Sequence, residues 1–167
     1  MNLNEIFTST VNLTWKQESP DSMVAEFEVN EKRYECFIEA GTYTFESKQL
    51  KFLNVGFSRI VGSKRIFDVT LDTPDSIKVL GAVINGISKK INDYKTDAVM
   101  LGATKNIKQR MRIYQWIARK FSNKFGIWIE SVKTPNGEAT LLISSKLDKD
   151  LVDNFEAYIK SQNIKKQ

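Results

Sequence analysis

The chain has no histidine and only one cysteine, Cys36. Catalytic mechanisms that need an imidazole, such as the Ser-His-Asp and Cys-His types, are therefore excluded, as are metal sites with histidine ligands. A single thiol cannot form an intramolecular disulfide or a cysteine-rich zinc site, and it is typical of a reducing compartment. We therefore expect no bound metal. Catalysis, if there is any, must use carboxylate, lysine, tyrosine or serine groups.

Long apolar runs are also missing, since none approaches the roughly 20 residues that cross a bilayer. The first residues lack the basic and apolar regions of a signal peptide, so we expect a cytoplasmic protein without a membrane segment. A chain of 167 residues with 41% hydrophobic residues fits one globular domain. We predict a single domain, 1–167, made of an N-terminal part (1–72), a middle part (73–144) and a C-terminal part (145–167).

Apolar and polar residues alternate in the first half of the chain, as they do in strands with one buried face. This pattern predicts strands at Met23–Val29, Arg33–Glu39, Thr42–Glu46, Leu50–Ser58 and Lys64–Leu71. Polar turns between them predict an antiparallel meander. Residues 1–15 are ambiguous, with a short amphipathic helix near Leu3–Phe7 as one interpretation.

After Thr73-Pro74 the apolar residues recur at helical spacing. This pair favours the start of a helix, because Thr can serve as the N-cap and Pro is tolerated in the first turn. We predict helices over about 73–94 and 105–124, an intervening strand at 98–103, a strand hairpin over 127–144 and a C-terminal helix. Strand 98–103 is expected to lie parallel to strand 64–71. The helical spacing predicts a core that includes Ile84, Ile87, Met111 and Phe121.

The predicted fold is therefore α+β, with a mixed, mostly antiparallel sheet that carries two long packed helices and a C-terminal helix. The hairpin over 127–144 turns at Thr134-Pro-Asn-Gly137, and the tail after Ser161 is polar. No internal repeat or linker interrupts this order.

Residues 98–129 contain no acidic residue, although they hold seven of the basic residues. At about 100° per residue, four of these cations fall within an arc of about 60° on the second long helix, and an outward-facing tryptophan lies next to them. This basic stripe consists of Lys105, Lys108, Arg112, Trp116 and Arg119.

Three interpretations of the basic stripe are open. It is a solvated helix face whose Trp116 is covered by another element, or it contacts an acidic protein, since Trp and Arg are typical of binding hot spots. In the third interpretation, the cations contact phosphates while Trp116 stacks on a base.

The segment Asp97-Ala-Val-Met-Leu-Gly-Ala-Thr-Lys-Asn106, followed by Met111-Arg-Ile-Tyr114 and Phe125-Gly126, resembles the second half of the GNAT acetyltransferase superfamily. Arg110 and Tyr114 also make this region similar to small uncharacterised proteins of large tailed phages. The resemblance covers residues 64–144. It implies a GNAT-like topology in this half and an acyl-CoA-dependent N-acetyltransferase, or a phage accessory or virion-associated protein.

The turn before the first long helix departs from the GNAT pattern. In that family a glycine-rich turn holds the pyrophosphate of the cofactor at the start of a helix. The turn here, Leu71-Asp-Thr-Pro-Asp-Ser76, has no glycine, lacks an amide N–H at Pro74 and carries two carboxylates that repel phosphate. We therefore expect no bound cofactor.

Other groups could carry chemistry, but each has a simpler structural interpretation. Tyr114 could be a general acid, yet it shares the helix face of Met111, which favours core packing. Cys36 lies in the middle of a strand and is expected in the core. A carboxylate pair or a solvated acidic face could come from Glu26, Glu28, Glu35 and Glu39.

The sequence thus predicts a non-enzymatic binding protein that docks a protein partner or a viral assembly through the basic stripe. Its expected location is the cytoplasm of the host cell or the virion. Two alternatives are open, an acyl-CoA-dependent N-acetyltransferase and a nucleic-acid-binding module.

We predict that the protein does not bind acetyl-CoA, because the acidic turn at 71–76 repels its phosphates. Titration calorimetry should give no Kd tighter than about 100 μM, which corresponds to roughly −5.5 kcal/mol. A tighter complex would contradict the absence of a cofactor site.

Overall fold

The computed structural model describes residues 11–66 and 75–164. The interpretation of Leu3–Phe7 as a helix, the end of the predicted strand at 64–71 and the predicted helix start at Thr73-Pro74 lie outside these ranges. Side chains are also not described at 17–18, 75–77, 117 and 120–125, which include the predicted core residue Phe121.

One sheet and three helices make up the described residues. The strands are β1 (Thr14–Glu18), β2 (Ser22–Val29), β3 (Lys32–Phe45), β4 (Lys48–Val61), β5 (Lys64–Ile66), β6 (Ala98–Ala103), β7 (Ile127–Thr134) and β8 (Gly137–Ser144). The helices are α1 (Asp75–Tyr94), α2 (Ile107–Phe125) and α3 (Lys149–Ser161).

The sheet has the order β1-β2-β3-β4-β6-β8-β7, and β5 pairs with β4 outside this path. Only β4 and β6 pair in parallel, whereas the other neighbours are antiparallel. The prediction of an α+β chain with a mixed, mostly antiparallel sheet is confirmed.

The strands β2 and β3 form a tight hairpin in which Val29 pairs with Lys32. Its two central residues, Asn30 and Glu31, have φ angles of 49° and 63°. Positive φ at both positions is what a type I′ turn requires, and its twist matches that of the flanking strands.

Residues 32–45 form one strand, although the sequence pattern predicted separate strands at 33–39 and 42–46. The ladder to β4 continues residue by residue from Arg33–Ile60 to Phe45–Lys48, across Ala40 and Gly41. Small residues weaken the local strand signal, but the pairing with β4 holds them in the sheet.

The predicted parallel pair of strands 64–71 and 98–103 is wrong, because the parallel neighbour of β6 is β4. The Gly62-Ser63 turn folds β5 back against the end of β4, so β5 is antiparallel to β4. The chain crosses through α1 and pairs β6 with the first half of β4. This ladder joins Phe52–Val55 to Ala98–Leu101, and both strands continue beyond it.

The main hydrophobic core lies between the sheet and the helices α1 and α2. Ile84, Ile87 and Met111, which the helical spacing placed in the core, are 6%, 1% and 5% exposed, so these predictions are confirmed. The strands β2, β3, β4, β6 and β8 provide the facing side chains.

A second hydrophobic core lies between the opposite sheet face and α3. Helix α3 begins at the N-cap Asp148, whose carboxylate accepts a hydrogen bond of 3.2 Å from the amide of Leu151. Its residue Phe155 is fully buried against the rings of Tyr43 and Phe52. The sheet is therefore covered on both faces in this region.

We predict that Ile87→Ala lowers the free energy of unfolding by about 2–5 kcal/mol, because it leaves a cavity in the main core. The neighbouring Ser88 is exposed, and Ser88→Ala should change stability by less than about 0.5 kcal/mol. Urea unfolding measures both, and equal effects would show that this face of α1 is misassigned.

Candidate partner-binding site

Helix α2 carries three of the four cations of the basic stripe and packs on β6, β7 and β8. The sequence placed Lys105 on the same helix, but it precedes the N-cap Asn106, whose left-handed backbone separates it from the helix. Its inner face is defined by Met111, Tyr114 and Ala118, which are 5%, 1% and 0% exposed. Because these positions are three and four residues apart, they share one side of the helix. The packing of this side fixes which side of α2 faces solvent.

The four cations of the stripe, Lys105, Lys108, Arg112 and Arg119, are all exposed. Among the described residues, Lys105, Lys108 and Arg112 have no hydrogen-bond or ion-pair partner. The first turn of α2 contains no acidic residue. The stripe is therefore a surface of concentrated positive charge.

Several other basic groups lie against carboxylates. Lys16 and Arg33 approach Glu26 at 2.9 and 3.1 Å. Lys48 approaches Asp148 at 3.1 Å. The contrast indicates that the charges of Lys105, Lys108 and Arg112 are available to an external partner, whereas these other charges are neutralised within the chain.

Trp116 does not face outward as the helical angle predicted. It is half-buried and packs against the main core. The angle gives a direction relative to the helix axis, but a wide indole ring on the flank of a helix can still reach neighbouring core residues. Trp116 thus lies at the edge of the stripe and is partly covered. Less of its ring is exposed for stacking on a base than the sequence predicted.

Arg110 and Tyr114, which carry the resemblance to the phage proteins, both lie inside the protein at 7% and 1% exposure. The guanidinium of Arg110 lies 4.9 Å from the ring centre of Phe57 and donates to the Tyr114 hydroxyl at 3.4 Å. That hydroxyl in turn donates to the carbonyl of Gly102 at 3.4 Å.

Burial raises the pKa of Tyr114, although the charge of Arg110 opposes this. A buried phenol that already donates to a backbone carbonyl cannot reach a substrate in this conformation. The expectation that Tyr114 serves core packing is confirmed.

Two of the four glutamates considered on the first hairpin, Glu26 and Glu35, form ion pairs with cations. Glu26 and Glu35 lie opposite each other on β2 and β3. The hydrogen bond from Lys16 is the main cause that lowers the pKa of Glu26. Glu35 is buried and accepts bonds of 2.7 and 3.3 Å from the guanidinium of Arg65. This arrangement fits ion pairing across the sheet better than a catalytic carboxylate pair.

A pocket of about 280 Å³, which the sequence analysis missed, lies between α3 and the strands β3, β4 and β6. A second pocket of about 190 Å³ lies beyond the C-terminal end of α1 and is lined by Ile91, Thr96 and Lys146 among others. Each is assembled from segments far apart in the chain, so no local sequence pattern could have predicted it.

Within residues 11–66 and 75–164, no group of three or more acidic or cysteine side chains could hold a metal ion. None of the helices described there is long and apolar enough to cross a membrane. No family model, curated protein or solved structure matches the chain. The function must therefore be argued from the geometry of the described residues.

We predict that Cys36 is unreactive in the folded protein. It is 1% exposed, and burial raises the pKa of its thiol to about 12. Because the reactive form is the thiolate, modification by a dithiobenzoate reagent at pH 8 should be at least roughly a hundred times slower than in urea. Similar rates in the two conditions would contradict the buried position.

Proposed function

We propose that the protein is a non-enzymatic binding protein that docks an acidic protein partner through the basic stripe of α2. The observation that carries this proposal is the set of exposed cations on and just before α2, of which Lys105, Lys108 and Arg112 have no partner among the described residues. Like charges that are neighbours on a helix repel each other by a few tenths of a kcal/mol per pair. Carboxylates of a partner would relieve this repulsion.

A protein partner suits the stripe better than a nucleic acid does. Single-strand recognition depends on aromatic rings that stack on bases, whereas Trp116 is half-buried against the core. Arginine and tryptophan are enriched at protein interfaces, and Arg112 is exposed in the stripe while Trp116 lies at its edge. The resemblance to small phage proteins suggests a virion or another viral assembly as the setting for the partner.

An N-acetyltransferase is the second candidate, and the strand order favours it. The helix-strand-helix-hairpin order after residue 75, with one parallel pair between antiparallel strands, is compatible with the GNAT-like order that the sequence resembles. Against this candidate, Tyr114 is buried and the turn at 71–76 is acidic. The absence of acetyl-CoA binding would exclude it.

The proposal predicts that charge reversal on α2 abolishes binding to an acidic polypeptide. We would change all four cations of the stripe to glutamate and measure binding of poly-L-glutamate by fluorescence anisotropy. Because removal of a charge from a desolvated contact costs roughly 2 kcal/mol or more, binding should weaken by at least about a hundredfold for the four changes.

A matched variant carries the same change in net charge at four exposed lysines outside the stripe. These are Lys78, Lys95, Lys133 and Lys149. This control should bind poly-L-glutamate within about threefold of the wild type, since long-range charge effects are screened. Equal losses in the two variants would show that only net charge matters, and circular dichroism checks that both fold.

A single-stranded oligonucleotide distinguishes the nucleic-acid alternative. If it binds more tightly than poly-L-glutamate, and if each stripe charge removed lowers the salt slope by about one, the partner is a nucleic acid and the proposal is wrong.

A further inference from the structure

The chain continues beyond the end of α3 and packs against the turn between β7 and β8. Helix α3 is closed by the amide of Gln162, which donates to the carbonyl of Ile159 at 3.1 Å. Two residues later, Ile164 is only 7% exposed. The third residue of the polar tail predicted after Ser161 thus belongs to the second hydrophobic core.

A single side chain holds this segment on the sheet. The carboxamide of Asn136, in the turn between β7 and β8, donates to the carbonyl of Ile164 at 2.7 Å. Its oxygen accepts from the amide of Ile164, also at 2.7 Å. Thr134 donates to the same oxygen at 3.3 Å. The carboxamide therefore pairs with both backbone groups of Ile164, as a neighbouring strand would.

The Ile164 side chain packs against two glycines, Gly102 and Gly137. A methyl group on Gly102 would stand 2.9 Å from Cγ2 of Ile164. A methyl group on Gly137 would stand 3.2 Å from Cδ1 of Ile164 and 2.1 Å from the carbonyl oxygen of Ala103. A methyl group at Gly102 would displace the Ile164 side chain, and one at Gly137 would collide with the Ala103 backbone, so Ile164 packs here against two positions without side chains.

The same segment forms one wall of the 280 Å³ pocket, through Gln162 and Asn163. The floor includes Asn54 on β4 and Met100 on β6, which are 8% and 9% exposed. Phe52 and Tyr158 add two aromatic rings. The pocket thus combines two aromatic rings with side-chain amides and the carboxylate of Glu39.

We propose that residues 162–164 are a strap that forms a movable wall of this pocket and widens it on lifting, with Asn136 as its latch. Helix α3 has its own N-cap and its own buried face, so it stays in place when the strap lifts. The strap itself is held by the two bonds to Asn136 and by the side chain of Ile164. Segments with so few contacts open locally, well before global unfolding.

The opened pocket admits a small aromatic molecule with an amide or hydroxyl group. This ligand class follows from the lining, because Phe52 and Tyr158 contribute aromatic rings and Asn54 contributes a carboxamide. Burial of a polar group is favourable only where such a partner receives it. Benzamide has this composition and serves as the probe.

Oxidation of Met100 by hydrogen peroxide reports how often the strap opens. In Asn136→Ala, both latch bonds are lost, so Met100 should be oxidised at least about five times faster than in the wild type. Asn136→Asp keeps the acceptor for the Ile164 amide but loses the donor, and it should give an intermediate rate. Peptide mass spectrometry measures each methionine separately.

The chain provides its own controls. Met23 and Met111 lie in the main core at 1% and 5% exposure, and their oxidation rates should not change. Lys133→Ala alters an exposed residue of the same hairpin, and it should leave Met100 unchanged. If Met100 keeps its rate in Asn136→Ala, or if all three methionines accelerate together, the strap does not open independently and the proposal is wrong.

The ligand part of the proposal has its own outcome. In Asn136→Ala, saturating benzamide should slow the oxidation of Met100 at least about twofold, because a bound molecule excludes peroxide from the pocket floor. An unchanged rate would contradict a binding site for this class of ligand. The lifting of the strap would still be tested by the Asn136 variants.

Discussion

The structure depends on the burial of β4 on both of its faces. Leu53, Val55 and Phe57 point into the core under α1 and α2, whereas Leu50 packs into the core under α3. A strand with two buried faces must be covered by helices on both sides. Along its edges, β4 pairs with β3 over its length, with β6 near its start and with β5 at its end. The pairings of β4 and the burial of its two faces therefore determine where the neighbouring strands and helices lie.

The position of the basic stripe follows from this arrangement. Because β6 lies parallel to β4, the chain must cross the sheet through α1 and then return through α2 over β6, β7 and β8. The apolar residues of α2 fix its rotation, so that Lys108 and Arg112 point away from the sheet. The cations are thus presented on a rigid helix, which lowers the entropic cost of binding compared with a loop.

The sequence predicted most of the local structure, since local structure follows from periodicity. The strand at Ala98–Ala103 has the predicted bounds, and α2 lies within two residues of its prediction. The parallel partner of β6 was not predictable, because its pairing with β4 joins residues that are distant in the chain. Strand β1 was missed because Trp15 is its only apolar residue, so it shows no alternation of apolar and polar residues.

The candidate site was predicted only in part for a similar reason. Helical angles predicted the exposure of Lys108, Arg112 and Arg119, but they do not apply to Lys105, which precedes the helix, and they could not show that core residues reach Trp116. The strap was missed because Ile164 stands in a polar tail and its partner Asn136 lies 28 residues earlier. A carboxamide that binds a remote backbone leaves no pattern in the sequence.

The most direct test of the docking surface is lysine footprinting with an acetylating reagent, with and without saturating poly-L-glutamate. The account predicts that Lys105 and Lys108 become protected, because they lie within the contact. Lys78, Lys133 and Lys149, which are exposed elsewhere, should keep their reactivity. Equal protection of all five lysines, or protection confined to the last three, would contradict a partner-binding role for the basic stripe.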